Sequence, residues 1–227
     1  MGPGDASHGA DVVARASVAD VATAGIGLRR RDRRYMLSWR GGSPFTADGD
    51  DMVAQSGERV RLLGAVRAVC RELLTDDAWG DVRIGISSRT DEPAWARELL
   101  DDGFFIDAET RLGDVFHFRE ITKESKSRHF ARIADREGIA YEDILFFDNE
   151  RGGGAELYRR RRDPEETLGR PRRRPRSVRH PRYGNCREIS DLGVTVAFSP
   201  DGVTADVWAE ALASFPAERG DIVNGYY

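Results

Sequence analysis

Lysine is nearly missing from this chain: of its 35 lysines and arginines, only Lys123 and Lys126 are lysine. Where arginine is the default cation, a lysine either sits there by chance or marks a place where a compact ammonium serves better than a planar guanidinium fork, as it does in a phosphate pocket. Cysteine is also scarce. Cys70 and Cys186 lie far apart, which excludes a disulfide framework and fits reduced thiols in an intracellular protein. No run approaches the roughly 18 apolar residues of a membrane span, so no membrane partner is expected. Strong charge of either sign is absent too. With a net charge of -4, the whole chain has no general attraction to nucleic acid. The first residues lack a basic stretch followed by an apolar core, which argues against a signal peptide. Their Ala, Ser and Arg content suits an organellar transit peptide, but Asp5, Asp11 and Asp20 do not, and a cytoplasmic location is expected.

What is present reads as an interrupted α/β domain. Residues 1–34 show no clean periodicity and are expected to be disordered. Residues 35–151 and 185–227 carry globular patterning. Between them, 152–184 hold 11 arginines and four prolines with almost no apolar content, so this insert is expected to be disordered as well. Tyr35–Thr46, with aromatics, Gly41–Gly42 and Pro44, suggests an ordered flap. Apolar residues at helical spacing predict a helix over Glu58–Leu74, with Cys70 on its inner face. Strands are expected at Val82–Ile86, Phe104–Ile106, Val115–Phe118, Ile144–Phe147 and Val194–Phe198. Helices are expected from Thr90 or Asp91 to Leu100, from Ser125 or Lys126 to Gly138, at Cys186–Gly193 and at Thr204–Phe215. Strands alternating with helices imply a doubly wound α/β fold with a parallel sheet.

In such sheets ligands bind just beyond the carboxyl ends of the strands. Strand 82–86 delivers Ser87, Ser88, Arg89 and Thr90 there, and strand 144–147 delivers Asp148, Asn149 and Glu150. Lys126 heads a helix between them. A hydroxyl, an ammonium and a carboxylate meeting at one point would suit a phosphate and a hard metal ion. Each also has an ordinary explanation. Ser87 and Ser88 are equally suited to cap the next helix, Lys126 to be a solvated helix start, and Asp148 with Glu150 to form a strand-end turn. His117 and His129 flank the lysine without a third partner at ligand spacing and are expected to be packing or surface residues.

In order along the chain, ISSRTDEPAWARELL, REITKESKSRHF, ILFFDNE and DLGVTVAFSPDGVT resemble the magnesium-dependent phosphatases. These are small capless members of the haloacid dehalogenase (HAD-like) superfamily. The resemblance covers residues 35–151 and 185–227. It implies a single-domain Rossmann-type three-layer α/β sandwich and phosphomonoester hydrolysis through an aspartyl-phosphate. The implied substrates are phosphotyrosine or small phosphorylated metabolites such as sugar phosphates. By resemblance Ser88 would hydrogen-bond the phosphoryl group, Arg89 would help bind substrate phosphate, Lys126 would neutralise charge, and Asp148 with Asn149 would hold Mg²⁺. The family's first motif, DxD, supplies its nucleophile. No such pair precedes Tyr35: Asp5, Asp11, Asp20 and Asp32 all lack a second Asp two residues on. The expectation is therefore an inactive or nearly inactive chain whose first strand has been replaced. Joining residues 148–152 directly to 185–188 gives an unbroken helix lead-in, so 153–184 read like translated intron. A non-catalytic phospho-ligand binder, or a nucleic-acid-associated protein using the basic insert, are the alternatives.

Overall fold

The computed structural model describes residues 43–151, apart from 56 and 91, and residues 184–223. The expectations for 1–34 and for 152–184 (Gly184 excepted), and most of the flap with Trp39, lie outside the described residues. The architecture is mixed α/β with parallel strands, of Rossmann-like type. The chain enters through an antiparallel meander, β1 (Phe45–Asp48), β2 (Asp51–Ala54) and β3 (Arg59–Val60). Then follow α1 (Val66–Thr75), β4 (Gly85–Ser88), α2 (Pro93–Glu98), β5 (Phe118–Ile121) and α3 (Lys126–Glu137). The chain continues through β6 (Leu145–Asp148), α4 (Asn185–Ser190), β7 (Thr195–Phe198), α5 (Ala205–Ala213) and β8 (Ile222–Val223). The expected single parallel sheet is seen as two sets, β4–β5 and β6–β7–β8. Among the described residues no strand lies between them.

Local chemistry explains the elements that frame the site. All four residues of β6 are buried, and its side chains alternate between two apolar clusters. Leu145 and Phe147 join Ile86, Ala197, the α1 residues Val69, Cys70 and Leu73, and the α5 residue Trp208. Phe147 stacks on Trp208 with centroids 5.5 Å apart. Phe146 and Val196 instead meet Phe130 of α3 and Ile189 of α4. Burial pushes the Cys70 thiol up to about 12, so it behaves as a small core residue and not as a nucleophile. Gly85 opens β4 because the Phe118 ring lies where its side chain would be: a Cβ would fall 1.6 Å from the ring. Helix α3 ends at Gly138, whose φ of 64° is left-handed. The Cys186 N–H, in the first turn of α4, donates to the Glu150 carbonyl at 2.9 Å, so the chain returns to the point where it left β6.

The structure corrects several expected elements. Residues 58–74 are not one helix: Arg59–Val60 pairs with β2, and helix begins only at Val66. Gly64 takes a φ of 61°, and the next N–H, of Ala65, donates to the Val203 carbonyl at 2.7 Å. A tertiary contact thus overrides helical spacing. Phe104–Ile106 forms only one bridge, Phe105 to Arg111. Residues 112–115 make a tight helical turn, and the strand expected from Val115 starts at Phe118.

Candidate functional site

The tips of β4 and β6 are joined by one side chain. Lys126, the first residue of α3, has no exposed surface. Its Nζ donates to the Ser87 carbonyl at the end of β4 and lies 3.5 Å from Asp148 Oδ2 at the end of β6. It also sits 5.2 Å from the centroid of the Phe146 ring. Taking an ammonium out of water is expensive unless opposite charge and hydrogen bonds meet it, and here a carboxylate, a carbonyl and a ring face do so. A cation at a helix N-terminus also opposes the helix dipole. Glu188 of α4 answers this, since its Oε1 accepts the Ser127 N–H at 2.9 Å and brings a carboxylate to the same helix end.

Asp148 is equally buried and its carboxylate is held from both sides. Oδ1 accepts the Glu150 N–H at 2.6 Å, and Oδ2 accepts from Asn185 Nδ2 at 2.9 Å. The side-chain Oδ1 of Asn185 in turn accepts from Arg89 Nη1 at 3.3 Å. A relay therefore runs from the loop after β4, through the first residue of α4, to the β6 carboxylate. Arg89 and Asn149 are themselves exposed, beside the buried group and not within it. Asn185 was not among the candidates from sequence. The available signal was the unbroken run obtained by joining the residues after Asp148 to Asn185.

Ser88 is fully buried and, among the described residues, its Oγ has no hydrogen-bond partner. Leaving a buried hydroxyl unsatisfied costs roughly 1–3 kcal/mol, which is what a site reserved for an acceptor would show. Neither Ser87 nor Ser88 caps the following helix. Thr90 Oγ1 accepts the Glu92 N–H there at 3.0 Å, and α2 starts at Pro93. His129 is not a surface residue: it is fully buried, with Nδ1 2.9 Å from Ser87 Oγ and Nε2 2.7 Å from Thr122 Oγ1. Burial first, then the Lys126 and Arg132 cations, lower its pKa to about 4, so the ring is neutral at pH 7. His117 is exposed, and its Nδ1 accepts the Ile84 N–H at 3.0 Å.

Among the described residues, no three His, Cys, Asp or Glu side chains gather as a metal cluster. Asp148 is the acid of the site, with the Asn149 amide next to it in sequence. Among the described residues the buried group thus combines the Lys126 cation, the Ser88 hydroxyl and the Asp148 carboxylate beside strand carboxyl ends, an arrangement suited to a small oxyanion. Residues 34–156 match the acid phosphatase family. The chain belongs to the acid phosphatase family. Ser88, Arg89, Lys126, Asp148 and Asn149 all fall within the span that this acid phosphatase match covers, whereas Asn185 falls beyond it. A human protein named "Magnesium-dependent phosphatase 1" is 33% identical over 112 residues, which are 48% of this chain and 56% of that protein. The chain thus spans about half the length of the curated relative it matches. Among the described residues no helix is long and apolar enough to cross a membrane.

Proposed function

We propose that this acid phosphatase family member binds the phosphoryl group of a phosphomonoester, a phosphotyrosine or a small phosphorylated metabolite, at the carboxyl tips of β4 and β6 of a HAD-like three-layer domain. The observation that carries the proposal is the buried Lys126 ammonium, 3.5 Å from Asp148 and in contact with the β4 tip. In this reading Lys126 neutralises phosphoryl charge, the Ser88 hydroxyl donates to a phosphoryl oxygen, and Arg89 contacts the substrate phosphate from the rim. Asp148, with the Asn149 amide oxygen, would hold Mg²⁺. The donor set fits that ion, which favours hard oxygens and commonly takes one or two carboxylates, with waters and phosphate oxygens completing its shell. Bound there, Mg²⁺ would offset charge on the phosphoryl oxygens. Asn185 keeps the Asp148 carboxylate oriented.

Turnover through an aspartyl-phosphate needs a nucleophilic carboxylate at the same point. The sequence before Tyr35 has no Asp-x-Asp pair. This favours binding with little or no hydrolysis, the second reading of the same site. The test uses the purified full chain with p-nitrophenyl phosphate and with inorganic phosphate, each with and without Mg²⁺. The expected result is no Mg²⁺-dependent turnover, together with a rise in Tm on adding phosphate and Mg²⁺ that Lys126→Met abolishes. Saturation about 100-fold above Kd adds about 2.7 kcal/mol of apparent stability. Turnover dependent on Mg²⁺ and Lys126 would overturn the inactive reading, and an unchanged Tm would overturn phosphate binding.

A further inference from the structure

We infer that His129 is a positioning residue that seats the Lys126 ammonium by holding Ser87 in place. The inference deepens the proposed function, in which Lys126 meets the phosphoryl group. His129 lies one turn beyond Lys126 on α3, so both face the same way. Its ring engages two strand tips at once, with Nδ1 at Ser87 of β4 and Nε2 at Thr122, just past β5. The same two segments are tied by the backbone, since the Thr122 N–H donates to the Ser88 carbonyl at 3.1 Å. Ser87 is therefore used twice. Its hydroxyl meets His129, and its carbonyl accepts from Lys126.

The network also selects a tautomer. Thr122 Oγ1 lies 3.4 Å from Glu124 Oε2, and a carboxylate can only accept. The threonine proton points to Glu124, so the threonine oxygen takes the proton of Nε2. Nδ1 is left as an acceptor, and the Ser87 hydroxyl donates to it. A neutral ring with its proton on Nε2 satisfies every group. Losing the Nδ1 contact would release the Ser87 side chain, and with it the peptide whose carbonyl holds the lysine.

Two substitutions separate this role from simple filling of space. His129→Asn keeps an acceptor near the Nδ1 position, and His129→Gln keeps a donor near the Nε2 position. The chain has two lysines, so ¹⁵N-lysine labelling gives two ammonium signals, and Lys126→Met assigns them. The Lys126 ammonium protons should exchange with water about as slowly in His129→Asn as in the wild type. In His129→Gln they should exchange about fivefold faster, the weight of one neutral hydrogen bond. Affinity for inorganic phosphate, read from the same signal, should fall about fivefold in His129→Gln alone. Equal behaviour of the two variants overturns the inference. If phosphate does not move the wild-type Lys126 signal, the phosphate reading fails, while the exchange rates still decide the role of His129. If neither variant folds, ¹⁵N-histidine spectra of the wild type decide: a neutral ring protonated on Nε2 supports the inference, and one protonated on Nδ1 overturns it.

Discussion

Acid should weaken this fold earlier than its carboxylates alone would, because of His129. The ring is buried against Ser87 and Thr122, with the Lys126 and Arg132 cations disfavouring its charge and Glu120 and Glu124 partly offsetting them. Its pKa in the folded chain is about 4, against an ordinary value of 6.5. The unfolded chain therefore takes up a proton near pH 6.5, while the folded one resists until about pH 4. Between those values the unfolded state binds more protons, so stability falls as pH falls. The loss is complete below about pH 4, where both states are protonated. A shift of this size corresponds to a ceiling of about 3 kcal/mol at 1.36 kcal/mol per unit. Urea denaturation from pH 7.5 to pH 4 measures it, with His129→Asn as the reference that cannot titrate. Wild type should lose stability relative to the variant across that window. Parallel curves would mean that water or a carboxylate already accommodates the charged ring, and the argument from burial would fail.

Three further outcomes follow from the geometry. Ser88→Ala should stabilise the free protein by up to about 1 kcal/mol, by removing an unsatisfied buried hydroxyl, yet reduce the phosphate-induced rise in Tm; a plain loss of stability would show that the hydroxyl has a partner. Asn185→Ala leaves Asp148 Oδ2 without that donor and frees Arg89, and should cost about 1–3 kcal/mol in urea denaturation. Gly85→Ala drives a methyl into the Phe118 ring and should cost about 1–3 kcal/mol; a neutral result would show that the ring swings aside.

Much of the frame around the site could be read from sequence because the signals were local. Helix α3 has a polar start at Ser125 and a glycine stop at Gly138, and β6 is a short apolar run ending in Asp148. The site's internal wiring was not local. Asn185 meets Asp148 across 37 positions, and His129 meets Ser87 across 42, so neither pairing leaves a trace in periodicity. The β1–β3 meander escaped notice for another reason. Its strands are four, four and two residues long, and β1 is mostly exposed, so no alternation of apolar and polar residues announces it. Val60 fitted a helical stripe by spacing alone, and only the contact between Ala65 and Val203 shows why the helix starts later.

The peptide hydrogen bond from Cys186 to Glu150 has a consequence of its own. It ties the chain just past β6 to the first turn of α4 through main-chain atoms alone, so the side chain at Glu150 has no part in setting the register between these two elements. Side-chain changes at Glu150 should therefore leave α4 seated beside β6, because the seam is written in backbone.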